Sequence, residues 1–286
     1  MLGGKKIGFI GTGNMGAALI RGLIQSRLLA AQDILVEDIL VHDAVPDKAE
    51  QLRAAHGVVL APSNRDLANK AQVVMLCVKP QAVDGVLDEI EDMPRDHLVI
   101  SICAGITLEY LETRLPMRPI VRVMPNTPAL VLEAASALAK GMHATAEHLV
   151  IARALFDAVG RAVVVDESLM DAVTGLSGSG PAYIFTIIEA LTDAGVNLGL
   201  PRPQAQELAA QTVLGSAKMV LEGVAPSPAE LRAMVASPGG TTIRGLQIME
   251  RAGIRGIIMD TVEAAAKRSR KLGRRGRQPD SGARDA

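Results

Sequence analysis

Aromatic side chains are almost missing from this chain of 286 residues, which has no Trp, 2 Tyr and 3 Phe. Base-stacking platforms are therefore not expected, and the core must be built from Ala, Val, Leu, Ile and Met. Cysteine is as scarce. Cys77 and Cys103 lie in the apolar runs VVMLCV and VISICAG, where a reduced thiol is ordinary core filling, so a disulfide framework is excluded by count and a metal cluster is not expected. Charge of one sign is missing too: 30 Lys and Arg against 31 Asp and Glu leave a formal −1, without the basic excess that nucleic acid demands. No apolar run approaches the roughly 18 residues of a membrane span, and the start MLGGKKIGFIGTG lacks the pattern of a signal peptide. The expectation is a soluble, cytoplasmic protein with neither nucleic acid nor membrane as partner.

What is present is a hydrophobic fraction of 49%, arranged with two periods. From Lys5 onward, short runs that are apolar on both faces (KKIGFI, ILVHD, QVVMLCV, LVISICAG, IVRVMP) alternate with helical stretches such as Ala17 to Gln25 and Asp47 to Ala55. That alternation predicts a parallel sheet covered on both sides, a Rossmann-like, doubly wound α/β domain. The last strand of the series is AVVV at 162–165; beyond it the chain turns Ala- and Leu-rich with helical spacing, broken at Pro226, Pro228 and SPGGTT. The expected organisation is a doubly wound domain over 1–166, an all-helical domain over 167–273, and a disordered tail over 274–286; the motifs below make the first the dinucleotide-binding domain, and the resemblance they carry implies that the second is the substrate and dimerisation domain. Residues 267–286 hold 8 Lys and Arg against 2 Asp, leaving the remainder with 22 basic and 29 acidic groups, a formal −7. The basic end reads as a solvated charged segment.

The first constellation is Gly11-Thr12-Gly13-Asn14-Met15-Gly16, directly after a strand and directly before a helix. The first glycine permits the tight turn, the second lets backbone approach a pyrophosphate, and the third lets helix pack on strand, with the phosphates at the helix N-terminus. An acidic residue ending the second strand would then take the adenosine ribose hydroxyls. Glu37 and Asp43 compete, because ILVED at 34–38 and ILVHD at 39–43 are adjacent near-copies. Asp43 is favoured, since Pro46 and Asp47 mark the next helix start. No Arg follows it, so Asp43 leans the choice of cofactor towards NAD over NADP.

Further segments cluster at carboxyl ends of strands, where an open α/β sheet binds ligands: Cys77-Val78-Lys79-Pro80, the SICAG run ending in Ala104-Gly105, and the run RVMPNTPA containing Met124-Pro125-Asn126. The helical half adds DAVTGLSGSGPAYIF at 171–185, GLPRPQAQELAAQTVLGSAKMV at 199–220 and MVASPGGTTIRGL at 234–246. With these motifs the chain resembles the Δ1-pyrroline-5-carboxylate reductase family over about residues 5 to 272, most specifically at LSGSGPAY and SPGGTT. The resemblance implies that the loop from Cys77 to Pro80 contacts the cofactor, that Asn64 lies near its adenosine end, that Ala104 and Gly105 approach the nicotinamide, and that the loop from Val235 to Thr242 receives the substrate carboxylate. An independent reason supports the last point, because successive amides in a Gly-Gly turn form an anion nest. Ser237, Gly239, Gly240 and Thr241 are the expected carboxylate partners, and Thr242 the expected hydrogen-bonding partner of the imine nitrogen. The resemblance also implies a homodimer that can assemble further into a decamer. One departure stands out: after RVMPNTPALV the family pattern has a GEG turn, and this chain has Leu132, Glu133 and Ala134.

The implied activity is hydride transfer from NAD(P)H to the cyclic imine, giving proline. A protonated imine accepts hydride without a strong enzymic acid, which suits the lack of any obvious acid or base in the helical half. A β-hydroxyacid dehydrogenase is the alternative, since Gly175, Gly178 and Gly180 fit its GxxGxGxxxK pattern. Its lysine slot, however, is Ile184, which cannot transfer a proton. A non-catalytic NAD(P)-binding sensor is a third reading, and it would have no need of the SPGGTT loop. Ser177 and Ser179 read as packing and capping residues, and Thr242 could alternatively be a helix N-cap.

Overall fold

The computed structural model describes residues 2–26 and 35–275. Its strands are β1 Ile7–Ile10, β2 Ile39–His42, β3 Val59–Leu60, β4 Val73–Leu76, β5 Leu98–Ser101, β6 Ile120–Met124, β7 Ala134–Lys140 and β8 Gly160–Val164. They form one sheet in the order β3-β2-β1-β4-β5-β6-β7-β8. Strands β1, β4 and β5 are buried at every position, which is why they read as unbroken apolar runs. Alternate side chains serve opposite layers. Ile7 and Phe9 join a core with helices α1 (Asn14–Gln25), α2 (Pro46–His56) and, near β8, a helix over Ala146–Asp157. Ile10 joins the other core, with α3 (Asn64–Lys70), α4 (Val83–Ile90) and α5 (Leu108–Arg114). The helix Ala146–Asp157 is α6.

Two expectations need correction. The sheet is not wholly parallel, because β7 runs antiparallel to β6. Only nine residues separate Met124 from Ala134, too few for the crossover of a dozen or more that a parallel return requires. Strand β7 itself escaped the sequence pattern because AASALAK contains no β-branched residue. The last strand also starts earlier, at Gly160 in place of Ala162. The choice between the near-copies is settled by pairing: β2 is ILVH, in register with β1 from Ile7 opposite Ile39, while Glu37 falls in a single 3₁₀ turn, Val36–Asp38.

The chain divides into two compact units, one comprising residues up to Ser179 together with those from Ala264 on, the other Gly180–Glu263. The change of composition at 166/167 therefore precedes the division between compact units. Helix α7 (Met170–Val173) and the π-helical turn Thr174–Gly178 belong to the first unit. The second consists of helices: α8 (Gly180–Asn197), α9 (Arg202–Leu221), α10 (Pro228–Met234), α11 (Thr241–Arg251) and the first part of α12 (Ile254–Arg275). Helix α12 runs through Arg275, beyond the expected end at 273; the remainder of the expected tail, 276–286, lies outside the described residues. Among the described residues no helix is long and apolar enough to cross a membrane.

Leu132, at the departure from the family's glycine-rich turn, takes a left-handed backbone conformation with φ 62. An L side chain there costs about 1–2 kcal/mol. Packing offsets the strain, since Leu132 lies against the β1–α1 core and reaches Gly22 of α1. Removing the side chain should therefore expose the backbone preference: Leu132→Gly should be more stable than Leu132→Ala by about 1 kcal/mol, the reverse of the usual order. Urea denaturation of the two variants checks this, and an Ala variant at least as stable as Gly would refute it.

Candidate active site

Chain order reverses between the neighbouring strands β1 and β4, the switch point at which open α/β sheets hold ligands. Two of the three glycines that follow β1 are demanded by backbone. Gly11 has φ 96, and a Cβ on it would lie 2.7 Å from the Cys77 carbonyl oxygen; a Cβ on Gly16 would lie 2.3 Å from the Gly11 carbonyl oxygen. Gly13 is different, because nothing stands within 4 Å of where its Cβ would be. It is the N-cap of α1, and no side chain caps that helix. The first-turn amides of Asn14, Met15 and Gly16 thus lack a side-chain partner beside open space, and a pyrophosphate fits that cradle in both shape and charge.

Asp43 follows β2 directly and is clamped to the same loop. Its Oδ2 accepts from the Thr12 backbone N–H at 2.6 Å and from Thr12 Oγ1 at 2.9 Å, and its Oδ1 accepts from the Val45 N–H at 2.8 Å. Burial is the largest single influence on its carboxyl and pushes the pKa up. The amides of Thr12 and Val45, the Thr12 hydroxyl and the charge of Lys48 together outweigh it and hold the pKa below the ordinary value. The carboxylate is therefore ionised at neutral pH, and it also braces the glycine loop, a role the sequence did not reveal.

The other strand ends divide. Cys77 is half-buried and Val78 likewise, whereas Lys79 and Pro80 are exposed. Burial pushes the Cys77 thiol well up, with Cys103 adding to the effect, and burial raises Cys103 too, so both are neutral thiols and not nucleophiles. Ala104 and Gly105 form the turn after β5 and, with Pro80, Thr174, Ser179 and Arg268, line a cavity of about 560 Å³. This brings three strand-end or turn segments to one place. Asn64 is 7% exposed and turned inward: its Nδ2 donates to Glu89 Oε2 at 3.0 Å, and its Oδ1 is buried without a partner among the described residues. Pro125 is buried and Met124 half-buried. Asn126 is engaged by the protein itself, donating from Nδ2 to the Ser177 carbonyl at 3.0 Å and accepting at Oδ1 from the Ala135 N–H at 2.9 Å.

In the second unit, Val235 follows α10 and is exposed, as are Ser237 and Gly239. Gly240 is the N-cap of α11 and offers no side-chain cap. This corrects the alternative in which Thr242 caps the helix: Thr241 and Thr242 already occupy its first turn. Thr242 is half-buried, and its hydroxyl has no hydrogen-bond partner among the described residues. The loop thus presents uncapped amides and available hydroxyls, the donor set a carboxylate needs. Sequence reasoning missed Arg268, because it stands in the basic stretch that reads as the start of a tail, and Thr174, whose place depends on the π-helical turn.

Residues 167–272 match the family described as pyrroline-5-carboxylate reductase dimerisation, and residues 6–105 match one described as NADP oxidoreductase, coenzyme F420-dependent. A pyrroline-5-carboxylate reductase of Methanosarcina acetivorans is 46% identical over 95% of this chain and 99% of its own length. The chain belongs to the pyrroline-5-carboxylate reductase family. Among solved structures, the reductase of Coxiella burnetii is 36% identical with a TM-score of 0.87, covering 94% of this chain and 98% of that one. The reductase of Plasmodium falciparum, solved with NADP bound, is 32% identical with a TM-score of 0.81 and the same coverage. Within a pyrroline-5-carboxylate reductase the LSGSGPAY and SPGGTT segments thus find their place, one in the π-helical turn and the start of α8, the other in the turn that leads into α11 and in its first two residues.

The clamp on Asp43 has a pH signature. A carboxyl whose folded pKa is depressed adds stability that is present above its unfolded pKa and lost as pH falls through the folded value. Asp43→Asn keeps an acceptor but cannot satisfy both amides as an ion does, and should cost about 1–2 kcal/mol at neutral pH. The deficit should be the same at about pH 5 and shrink only below the ordinary carboxylate range. Urea denaturation at several pH values measures it; a gap that has closed by about pH 5 would show that the carboxylate is not specially stabilised.

Proposed function

We propose that this chain reduces Δ1-pyrroline-5-carboxylate to L-proline with NAD(P)H. The observation that carries the reading is the loop Val235–Thr242, an uncapped helix start with two threonines in its first turn, in a chain whose glycine loop leads into a further uncapped helix start that fits a dinucleotide. Membership of the family and the NADP bound to the Plasmodium relative support the nicotinamide cofactor. When bound, that cofactor supplies the hydride. The residues proposed to hold it are the loop Gly11–Gly16 at the pyrophosphate, Asp43 and Asn64 at the adenosine end, Cys77–Pro80 along its length, and Ala104 and Gly105 at the nicotinamide, with Met124 and Pro125 behind; Asn126, expected from the sequence to join them, has both ends of its amide bonded to backbone groups and supports the others without holding the cofactor. Asp43, ionised and with no Arg beside it, leans the choice towards NADH by repelling a 2′-phosphate.

Val235, Ser237, Gly239, Gly240 and Thr241 receive the substrate carboxylate, and the Thr242 hydroxyl accepts the proton of the iminium nitrogen in a hydrogen bond. No strong acid is needed, because the imine is basic enough to carry its own proton. The dehydrogenase alternative loses ground, since its lysine slot is Ile184, 41% exposed and without a titratable atom. Assay of cofactor oxidation with pyrroline-5-carboxylate, run with both cofactors, tests the reading, and a purified enzyme inactive with both would overturn it. Thr242→Val removes one hydrogen bond to a charged group at nearly constant volume, about 1.5–3 kcal/mol, so kcat/KM should fall about ten- to a hundredfold with cofactor affinity unchanged. Loss of several further orders of magnitude would make Thr242 an essential proton carrier instead, and no loss would transfer the role to Thr241.

The dimer is proposed on the apolar surface of the second unit. Among its residues only Thr192, Ala205 and Ala209 are buried, while Phe185, Leu198 and Met259 are 63%, 84% and 71% exposed. Surface of that kind belongs to an interface, and a second copy through the helices of Gly180–Glu263 is the occupant proposed. Light scattering should give a mass of two chains or a multiple of two at assay concentration; an active monomer would contradict it.

A further inference from the structure

Ser177 has an unusual backbone problem. In a continuing helix its carbonyl would accept from the residue four positions on, but that residue is Pro181, which has no N–H to donate. The chain passes through a π-helical turn at Thr174–Gly178, closed by the Ser179 N–H on the Thr174 carbonyl at 2.8 Å, and the Ser177 carbonyl is left to find a donor elsewhere. Asn126 supplies it, at 3.0 Å, from just beyond β6. The other end of the same amide accepts from Ala135 of β7, and the side chain is 7% exposed. Met124 reinforces the contact: a Cβ on Gly178 would come within 2.7 Å of its methyl carbon.

We infer that Asn126 is a positioning residue for hydride transfer: it holds the π-helical turn against the ends of β6 and β7, and so sets the wall that Thr174 and Ser179 give to the cavity beside Ala104 and Gly105. The inference rests on the proposed place of the nicotinamide next to that turn. Asn126 touches neither reactant, since both ends of its amide are occupied by backbone groups. Its effect should fall on orientation of the nicotinamide, and the pyrophosphate cradle at Gly11–Gly16 is built independently of it.

The test uses the full chain with Asn126→Ala and Asn126→Asp. Asn126→Ala should lower kcat about tenfold or more, as small misplacements do, with the KM for NAD(P)H changed less than about threefold, since the grip on the phosphates remains. Asn126→Asp adds a pH readout that a merely structural role would not produce. Ionised, the carboxylate still accepts from Ala135 but faces the Ser177 carbonyl without a proton; protonated, it can donate as the amide did. Its kcat should therefore recover as pH falls through the titration of the new carboxyl, while the wild type shows no matching rise. The emission of bound NAD(P)H, read without substrate, should shift towards that of free cofactor in Asn126→Ala. This readout separates the inference from the proposed reaction: a wild type that binds cofactor but does not turn over the imine would sink the reaction alone. Should Asn126→Ala fail to fold, Gly178→Ala, which crowds Met124, should reproduce the kcat loss. Unchanged kcat and emission in the folded variants, or an Asn126→Asp profile parallel to the wild type, would overturn the inference.

Discussion

How closely α1 can approach the carbonyl of Gly11 sets the geometry at the carboxyl ends of the strands. A single methyl on Gly16 would stand 2.3 Å from that oxygen, and one on Gly11 would meet the Cys77 carbonyl at 2.7 Å. The residue after β1 is therefore in backbone contact with the start of α1 at Gly16 and with the residue after β4 at Cys77. Backbone contact of this kind does not relax as a side-chain contact does, so the first-turn amides of α1 point to one place. The Asp43 carboxylate completes the arrangement from β2 by bonding both the amide and the hydroxyl of Thr12.

The two units meet the scarcity of aromatic residues differently. In the first, Phe9 and Phe156 are fully buried in the same layer of the sheet, among aliphatic side chains that fill both faces. In the second, small residues hold the helices close. The buried positions are Ala205, Ala209 and Thr192, whose side chains are too small to contribute much apolar burial. A unit so built gains little from its own core, which accounts physically for a family description that names dimerisation.

Strained or unsatisfied backbone marks the positions where this chain departs from regular structure. Leu132 accepts a left-handed conformation where glycine would be free of strain, and is retained by packing on α1. At Ser177 a proline four residues later removes a hydrogen bond, and Asn126 restores one from another part of the chain. The first is a local cost met by hydrophobic contact, the second a local loss repaired by a long-range polar contact. Both lie on the connection that follows β6 or on its partner, so that segment does more than link two strands.

Period and punctuation in the sequence were enough to establish the doubly wound half, the glycine loop, the strand ending at Asp43 and the helical character of the rest, because these depend on neighbours in the chain. Apolar runs of four or five residues, rich in β-branched side chains and alternating with longer helical stretches, are too short for helices and read as buried strands of a covered sheet, and G-T-G-N-M-G between strand and helix leaves little freedom to the backbone. Strand β7 was hidden because alanine carries almost no β preference, and its antiparallel direction depended on the length of a connection whose ends could not be located without it. The inward turn of Asn64, the two backbone partners of Asn126 and the place of Arg268 beside Gly105 were decided by tertiary structure alone. Each depends on what stands opposite a side chain across the fold, and hydrogen bonds between residues as distant as Asn126 and Ser177 leave no periodic trace in the order of amino acids.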